Sequence, residues 1–431
     1  MEKIVVEGGR PLSGKIDVSG MKNAAVAILF ATVVTSDVCV IDNLPDISDV
    51  GDCLAILKSV GAEIEILAPN KVRIDTTCIC DAEPPISLVR KIRASYYLAG
   101  AMLGRFGRTR VGLPGGCNFG VRPIDFHIKA FESLGAVCDL EGGCIVAEAK
   151  DGLCGSSIYF DNCSVGATIN AIIAAVRAKG TTVIENPARE PHVVDVANFL
   201  NACGADIRGA GTSVIRVNGG LPLHGCEYAI IPDMIEAGTF MVAAAATKGK
   251  LYINGVIPKH LEPITAKLRE MGVTVEEYDQ AVLVTAGETL KAANVRTLAY
   301  PGFPTDMQPQ MAVLMCLADG SSHLNETIWN NRFRYVEELQ RMSAKIRISA
   351  DGQTAFFEGR TVFTPSVVKA VDLRAGAAVV LAGLATEGST IIEEIALIER
   401  GYDDIVGKLR RVGANIQKVQ FPDETGNSVF S

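Results

Sequence analysis

The sequence has no apolar run long enough to cross a membrane. Its two most apolar stretches, residues 24–34 and 375–385, are about half the roughly 20 residues that a membrane helix needs. Both stretches therefore predict buried helices. Residues 1–7 alternate like a strand and lack the apolar core and small-residue cleavage site of a signal peptide, so we expect no export and a cytoplasmic location.

Basic clusters and metal-ligand motifs are also absent from the sequence. The net charge is −8 and no block of lysine and arginine stands out, which argues against nucleic acid as a partner. The five histidines are scattered, and the close cysteine pair Cys78 and Cys80 has no second pair nearby, so no metal is expected. Twelve cysteines without a secretory segment do not predict a disulfide framework, and we expect reduced thiols that are packed or at the surface.

The sequence does have an internal repeat. Its 431 residues exceed the roughly 250–300 residues that one core supports, so at least two domains are expected. A helix end followed by a small residue pair and an alternating strand recurs six times, 68 to 74 residues apart. The residue that would end each helix is Gly61, Gly135, Gly204, Gly272, Ser343 and Gly413. Glycine at that position predicts a left-handed helix cap.

Each repeat also has a strand and a helix upstream of this phrase, with strands predicted at 38–41, 181–185 and 390–394. The pattern indicates six units of the βαβαββ type. One such unit cannot bury both of its faces, so three units around a common centre would make one domain and six would make two. A solenoid of six units is the alternative, but no repeat has the polar face of a cap.

The segment from Leu113 to Asp125, L-P-G-G-C-N-F-G-V-R-P-I-D, places Cys117 in a glycine-rich loop near Arg122. The glycines let the backbone approach a ligand, and the arginine could stabilise a thiolate or hold an anion. A short G-G-C alone is more often a surface loop with a chance cysteine. The longer string, however, closely resembles the catalytic loop of the enolpyruvyl transferase family, in the branch that acts on UDP-N-acetylglucosamine.

Further motifs extend the resemblance along the whole chain. They are S-G-M-K-N-A at 19–24, K-I-R-A-S at 91–95, S-V-G-A-T at 164–168, F-P-T-D-M-Q at 303–308, N-R-F at 331–333, D-L-R-A at 372–375 and R-G-Y at 400–402. The resemblance implies a two-domain inside-out α/β barrel with three units per domain. It places one domain at 21–231, the other at 1–20 plus 232–431, and the active site in the cleft between them.

The resemblance also implies the reaction, a transfer of the enolpyruvyl group from phosphoenolpyruvate to the 3′-hydroxyl of UDP-N-acetylglucosamine. This is the first committed step of peptidoglycan precursor synthesis, which serves cell-wall biogenesis, cell shape and cell division. Both substrates are anionic, so their site needs several cations, with arginine favoured for forked contacts. A thiol can protonate C3 of the donor and a carboxylate can take the proton of the acceptor hydroxyl. No metal or organic cofactor is needed.

Site residues are carried over from the resemblance, most of them from the matching motifs. The implied catalytic residues are Cys117, Asp306, Lys22 and Arg400, and Cys117 would make the enzyme a fosfomycin target. The donor would be held by Lys22, Asn23, Arg122 and Arg400. The UDP-sugar would contact Arg93, Arg122, Pro123, Ile124, Asp125, Phe126, Asn162, Ser164, Val165, Gly166, Asp306, Ile328 and Arg332. Asp372 and Arg374 would support the site.

The chain departs from the family pattern at Met21, Met234, Asn330 and Asn162-Cys163. Met234 stands where the family usually has arginine, and Asn330 lies in a loop expected to face the acceptor. These changes leave open an enolpyruvyl transferase with a different UDP-sugar or nucleotide acceptor, or a catalytically weak paralogue that binds the UDP-sugar as a regulator. The shikimate-pathway branch is disfavoured by the loop around Cys117. A monomer is the favoured oligomeric state.

Overall fold

A computed structural model describes residues 2–80, 83–113 and 124–421 of the chain. Its strands are β1 Glu2–Gly8, β2 Ser13–Asp17, β3 Val38–Asp42, β4 Glu63–Ala68, β5 Lys71–Asp75, β6 Arg108–Gly112, β7 Val137–Glu141, β8 Cys144–Glu148, β9 Ser157–Tyr159, β10 Gly180–Glu185, β11 Asp206–Arg208, β12 Val214–Gly219, β13 Glu227–Ala229, β14 Lys250–Asn254, β15 Thr274–Glu277, β16 Ala281–Thr285, β17 Val295–Arg296, β18 Ser322–Asn325, β19 Ile346–Ile348, β20 Thr354–Phe357, β21 Val367–Lys369, β22 Gly388–Glu393 and β23 Asn415–Gln420.

The α-helices are α1 Lys22–Ala31, α2 Ser48–Ser59, α3 Ile86–Val89, α4 Tyr97–Phe106, α5 Asp125–Ser133, α6 Val165–Ala175, α7 Pro191–Ala202, α8 Met234–Ala246, α9 Glu262–Glu270, α10 Gln308–Leu317, α11 Val336–Arg341, α12 Leu373–Leu384, α13 Ala396–Glu399 and α14 Ile405–Arg411. Short 3-10 helices lie at Thr32–Thr35, Arg93–Tyr96, Pro258–Leu261, Thr305–Met307 and Arg332–Tyr335. The described residues include no helix with the length and apolar character that a membrane span requires.

The chain forms two compact units. The first contains residues 1–18, 234–297 and 303–431, and the second contains residues 19–233 and 298–302. The second unit holds the sheets β13-β3-β5-β4, β6-β8-β7 and β11-β12-β10-β9. The first holds the sheets β21-β22-β1-β23, β15-β16-β14-β2 and β17-β18-β20-β19. The prediction of an α/β protein is confirmed, although none of these sheets closes on itself within the described ranges.

Each four-stranded sheet combines one parallel pair with antiparallel pairs. In the first sheet of the first unit, β1 pairs antiparallel with β22, where Val5 lies opposite Ile391, and with β23, where Val5 lies opposite Gln417. The edge strand β21 is parallel to β22, with Val368 opposite Ile392. The other four-stranded sheets have a parallel edge pair too, formed by β13 with β3, β9 with β10, β2 with β14 and β17 with β18.

Three almost completely buried helices pack together in each unit. In the second unit they are α1, α4 and α6, where α4 contacts both of the others. In the first unit they are α8, α10 and α12, which contact one another. Most side chains on every face of these helices are apolar, which is the pattern of a buried helix. The buried helices predicted at 24–34 and 375–385 are confirmed, as α1 with its 3-10 extension and as α12.

Six helices end in the same turn. The predicted caps Gly61, Gly135, Gly204, Gly272, Ser343 and Gly413 follow α2, α5, α7, α9, α11 and α14, and all have φ between 72° and 108°. The N–H of the next residue donates to the carbonyl five positions back, as Ala62 does to Leu57 at 3.0 Å. This is the Schellman arrangement, which satisfies helix carbonyls that would otherwise lack a donor. A strand begins within two or three residues after each turn, so the turn sets the direction of that strand.

Candidate active site

The N-terminus of α1 holds a buried ion pair in the second unit. Lys22 is the first residue of this helix, and its Nζ lies 2.8 Å from Oδ2 of Asp49 near the start of α2. The two side chains are only 12% and 7% exposed. The Lys22 backbone N–H also donates to Asp233 Oδ2 at 3.3 Å. Two carboxylates therefore hold this predicted donor-binding lysine in place.

The predicted neighbour Asn23 is half-buried in the first turn of α1. The two methionine departures from the family pattern are buried core residues, with Met21 2% and Met234 5% exposed. Met21 joins residues 19–24 to the end of the unit, because its N–H donates to the Ile231 carbonyl at 2.7 Å. Neither methionine side chain is therefore at the protein surface.

A second group of predicted residues lies at the start of α6. Ser164 caps this helix, and its Oγ accepts a hydrogen bond from the Ala167 N–H at 3.3 Å. A Cβ atom at Gly166 would lie 2.7 Å from the Tyr96 hydroxyl and 3.0 Å from the His127 ring. Glycine is thus required for this close approach. The first turn of a helix offers unpaired backbone N–H groups, which suit a diphosphate.

His127 lies behind this helix start and is neutral. The Asn170 Oδ1 accepts the Gly100 N–H at 3.2 Å, so its amide nitrogen is the donor to His127 Nδ1, 2.9 Å away. The His127 proton is therefore on Nε2. Burial, with a smaller contribution from the charge of Arg93, lowers the pKa of His127 to about 3. His127 and Asp49 were not predicted from the sequence, because each is a single polar residue in a helix and belongs to no recognisable motif.

The other predicted acceptor contacts in this unit are spread over several elements. Arg93 is half-buried at the start of a 3-10 helix, with its guanidinium 5.9 Å from the centre of the Tyr96 ring. Phe126 packs edge-on against Phe160, with ring centres 5.9 Å apart. The remaining positions are half-buried or exposed at the starts of α5 and α6, namely Ile124, Asp125, Asn162 and Val165. Cys117, Arg122 and Pro123 lie outside the described residues.

The first unit brings a carboxylate and two arginines into direct contact. Asp306 lies in the 3-10 turn before α10, with Oδ1 3.3 Å from Nη2 of Arg332. Its Oδ2 lies 3.1 Å from Nη2 and 3.3 Å from Nε of Arg374. Both arginine side chains are only 4% exposed, whereas that of Asp306 is 30% exposed. The base predicted from the sequence is therefore accessible and held by two buried cations.

The predicted supporting residue Asp372 caps α12. Its carboxylate accepts hydrogen bonds from the N–H groups of Arg374 and Ala375 at 2.8 and 3.0 Å. The Arg374 guanidinium lies 5.4 Å from the centre of the Tyr402 ring. The Tyr402 hydroxyl forms a hydrogen bond with the Thr239 hydroxyl at 2.9 Å, which holds the ring in place. The Asp372 cap and the Tyr402 ring thus fix the direction from which the Arg374 guanidinium meets the Asp306 carboxylate.

Two further predicted residues of this unit lie in loops. Ile328 is 39% exposed, and its N–H donates to the buried Glu326 at 2.8 Å. Arg400 is half-buried directly after α13. Asn330 is exposed. The structure brings Asp306, Arg332 and Arg374 together, and it places Ile328 and Arg400 on two loops of the same unit.

Comparison with known proteins agrees with these motifs. The family model described as EPSP synthase (3-phosphoshikimate 1-carboxyvinyltransferase) matches residues 6–409. UDP-N-acetylglucosamine 1-carboxyvinyltransferase 3 of Caldanaerobacter subterraneus is 53% identical over 97% of this chain and 100% of its own. The UDP-N-acetylglucosamine 1-carboxyvinyltransferase of Clostridium botulinum is also 53% identical, with the same coverage.

Solved structures show the same fold. The enolpyruvyl transferase NikO from Streptomyces tendae superposes with a TM-score of 0.88 at 27% identity, covering 98% of this chain and 99% of its own. EPSP synthase from Acinetobacter baumannii has a TM-score of 0.76 at 19% identity over 97% of this chain and all of its own, which shows the fold alone. The chain therefore belongs to the enolpyruvyl transferases of the EPSP synthase family and, among them, to the UDP-N-acetylglucosamine 1-carboxyvinyltransferases.

Proposed function

We propose that the protein transfers the enolpyruvyl group of phosphoenolpyruvate to the 3′-hydroxyl of UDP-N-acetylglucosamine and releases phosphate. The observation that carries this proposal is the accessible Asp306 carboxylate between two buried arginines, in a chain 53% identical to enzymes named for this reaction. The reaction starts peptidoglycan precursor synthesis from two cytoplasmic metabolites, so we place the protein in the cytoplasm. A monomer remains our expectation.

The first chemical step is an addition. We assign the proton transferred to C3 of phosphoenolpyruvate to the Cys117 thiol, which makes C2 electrophilic. The acceptor oxygen bonds to C2 while Asp306 takes the hydroxyl proton. Lys22, Arg122 and Arg400 are assigned to the phosphate and carboxylate of the donor, with Asn23 beside them. These cations offset the negative charge that develops as the bond forms.

The second step is an elimination. The Cys117 thiolate takes a proton back from C3, the C2–O bond to phosphate breaks, and the leaving phosphate takes the proton held by Asp306, which restores the double bond and leaves the enolpyruvyl ether. No electrons are exchanged with an external redox partner, and the proton balance closes within the two steps. We assign the acceptor to Arg93, Arg332, the start of α5 and the first turn of α6, where Ser164, Val165 and Gly166 offer backbone donors.

We also infer that the chain consists of six copies of one unit, three in each of the two compact units. The six open sheets and the six identical helix ends support this inference. In this description the two compact units are the two domains that the resemblance implies. We assign the catalytic residues of the two compact units to the same reaction.

Phosphate release from phosphoenolpyruvate tests the proposed reaction. We expect release on addition of UDP-N-acetylglucosamine, and none with shikimate 3-phosphate or UMP. Release with another acceptor, and none with UDP-N-acetylglucosamine, would show that the other acceptor is the substrate. Binding of the UDP-sugar without phosphate release from any acceptor would instead support a regulatory paralogue.

A further inference from the structure

Three cysteines that are not among the residues assigned to catalysis cluster in the second compact unit. Cys39 lies on β3, Cys203 directly follows α7, and Cys226 directly precedes β13. The Sγ atoms of Cys203 and Cys226 are 3.3 Å apart. Cys39 also interacts with Cys203, and this interaction shifts the pKa of both thiols. These three residues are called the thiol cluster below.

Backbone hydrogen bonds hold the thiol cluster together. The His224 N–H donates to the Cys203 carbonyl at 2.9 Å, and the Val40 N–H donates to the Cys226 carbonyl at 2.9 Å. Between these two bonds, the Gly225 N–H donates to Asp37 at 2.8 Å. The close approach of the two sulfur atoms is therefore a consequence of the main-chain path. An S–S bond of about 2.05 Å requires the two sulfur atoms to move about 1.3 Å closer together.

Exposure distinguishes the three thiols. Cys226 is half-buried, whereas Cys39 and Cys203 are 0% exposed. A small reagent therefore reaches Cys226 first. The hydrogen bond between the two thiols lowers the pKa of Cys226 and raises the pKa of Cys203. Because the thiolate is the reactive form, Cys226 is the nucleophile and Cys203 the neighbouring thiol that resolves its adduct.

We propose that Cys226 and Cys203 form a reversible disulfide when the protein meets a low-molecular-weight disulfide. The Cys226 thiolate attacks one sulfur of the reagent, which forms a mixed disulfide and expels one thiolate. Cys203 loses its proton to that thiolate and attacks Cys226 Sγ, which expels the second thiolate. Two protein thiols are oxidised and one small disulfide is reduced to two thiols. This proposal is independent of the transferase reaction.

Peptide mapping tests the proposal with oxidised glutathione as the probe. The full-length protein is treated, alkylated and digested with trypsin, which leaves Cys203 as the only cysteine of peptide 190–208 and Cys226 as the only one of peptide 217–248. We expect these two peptides to be joined, at a mass about 2 Da below their sum, and to separate after treatment with dithiothreitol. Only a glutathione adduct at Cys226, a Cys203–Cys39 bond, or unmodified peptides would overturn the proposal.

Variants identify the order of the steps. In Cys226→Ser, Cys203 should stay free of glutathione, because Cys226 is the thiol that the reagent reaches first, and Cys203→Ala should leave Cys226 as a stable glutathione adduct. The matched control is Cys163→Ser, which removes an exposed thiol and should leave the joined peptide unchanged. Cys203 is fully buried, so the folding of its variant is checked by thermal unfolding. If the Cys203→Ala variant does not fold, Cys226→Ser still tests the proposal, and a glutathione adduct on Cys203 in Cys226→Ser would contradict it.

Discussion

Arg374 meets the Asp306 carboxylate with two of its nitrogen atoms, Nη2 at 3.1 Å and Nε at 3.3 Å from the same oxygen. The arginine is almost completely buried, and Asp306 is exposed enough to meet a substrate. Two donors on one oxygen orient the carboxylate, because the planar guanidinium fixes the direction of both contacts. A base held in this way needs little reorganisation when it accepts a proton.

Asp306→Asn removes the proposed base while it keeps the shape of the side chain. We expect kcat/KM for phosphate release to fall by about 10² to 10⁴ fold, the usual contribution of a general base. The control is Asp319→Asn, because Asp319 forms an exposed ion pair with Arg360 and should tolerate the change. A folded Asp306→Asn enzyme within tenfold of the wild-type kcat/KM would exclude Asp306 as the base.

Lys22→Met should reduce both activity and stability. The variant removes a donor-binding cation and leaves Asp49 buried without the lysine charge, a loss of about 3–5 kcal/mol for a buried ion pair. In Lys22→Met combined with Asp49→Asn, the free energy of unfolding should largely recover, while phosphate release should not. Urea unfolding and phosphate release on the two variants separate the roles. Recovery of activity in the double variant would show that the Lys22 charge is dispensable.

Gly166→Ala tests the close approach at the start of α6. An added Cβ would lie 2.7 Å from the Tyr96 hydroxyl and 3.0 Å from His127, so this helix start must shift. We expect KM for the UDP-sugar to rise by about tenfold or more, because a loss of about 1.4 kcal/mol of binding free energy corresponds to a tenfold change in affinity. Gly51→Ala is the matched control in α2, because nothing lies within 4 Å of its Cβ. It should leave KM unchanged and stabilise the protein by about 0.5–1 kcal/mol.

The helix ends show what could be predicted from the sequence. A Schellman turn is a local structure, so its signature lies within a few consecutive residues and can be recognised by repetition. Even Ser343, which has φ of 72° without being a glycine, was placed correctly by its position in the repeat. The buried helices were predictable for a similar reason, because an unbroken apolar run of that length has few other structures to form.

The contacts of the site were not predictable in the same way. Asp306 and Arg374 are 68 positions apart, and the sequence contains no signal for which arginine contacts which carboxylate. Asp49, which binds Lys22, was missed because a lone aspartate near the start of a helix is also the usual pattern of a favourable helix dipole interaction. The motifs predicted the residue types of the site, whereas the pairing depends on packing between distant elements.

Asp195 should make stability depend on pH in a direction opposite to most carboxylates. This residue of α7 is 1% exposed, and it accepts hydrogen bonds from the Tyr228 hydroxyl at 2.6 Å and the Ile231 N–H at 3.2 Å. Burial outweighs these bonds and raises the pKa of Asp195 to about 6, from an ordinary value of 3.8. Between pH 4 and 6 the folded protein therefore binds more protons at this site than the unfolded chain does.

The free energy of unfolding contributed by Asp195 consequently falls as the pH rises from about 4 to 6, and it is constant above that range. The change is at most about 3 kcal/mol for a shift of about two pKa units. Urea unfolding of wild type and Asp195→Asn at several pH values measures it, because the other titrating groups cancel in the difference. We expect the stability of wild type relative to the variant to decrease from pH 4 to pH 7. A difference that is flat or increases with pH would show that the Asp195 carboxylate is ionised in the folded protein throughout this range, which would mean that its two hydrogen bonds outweigh the cost of burial.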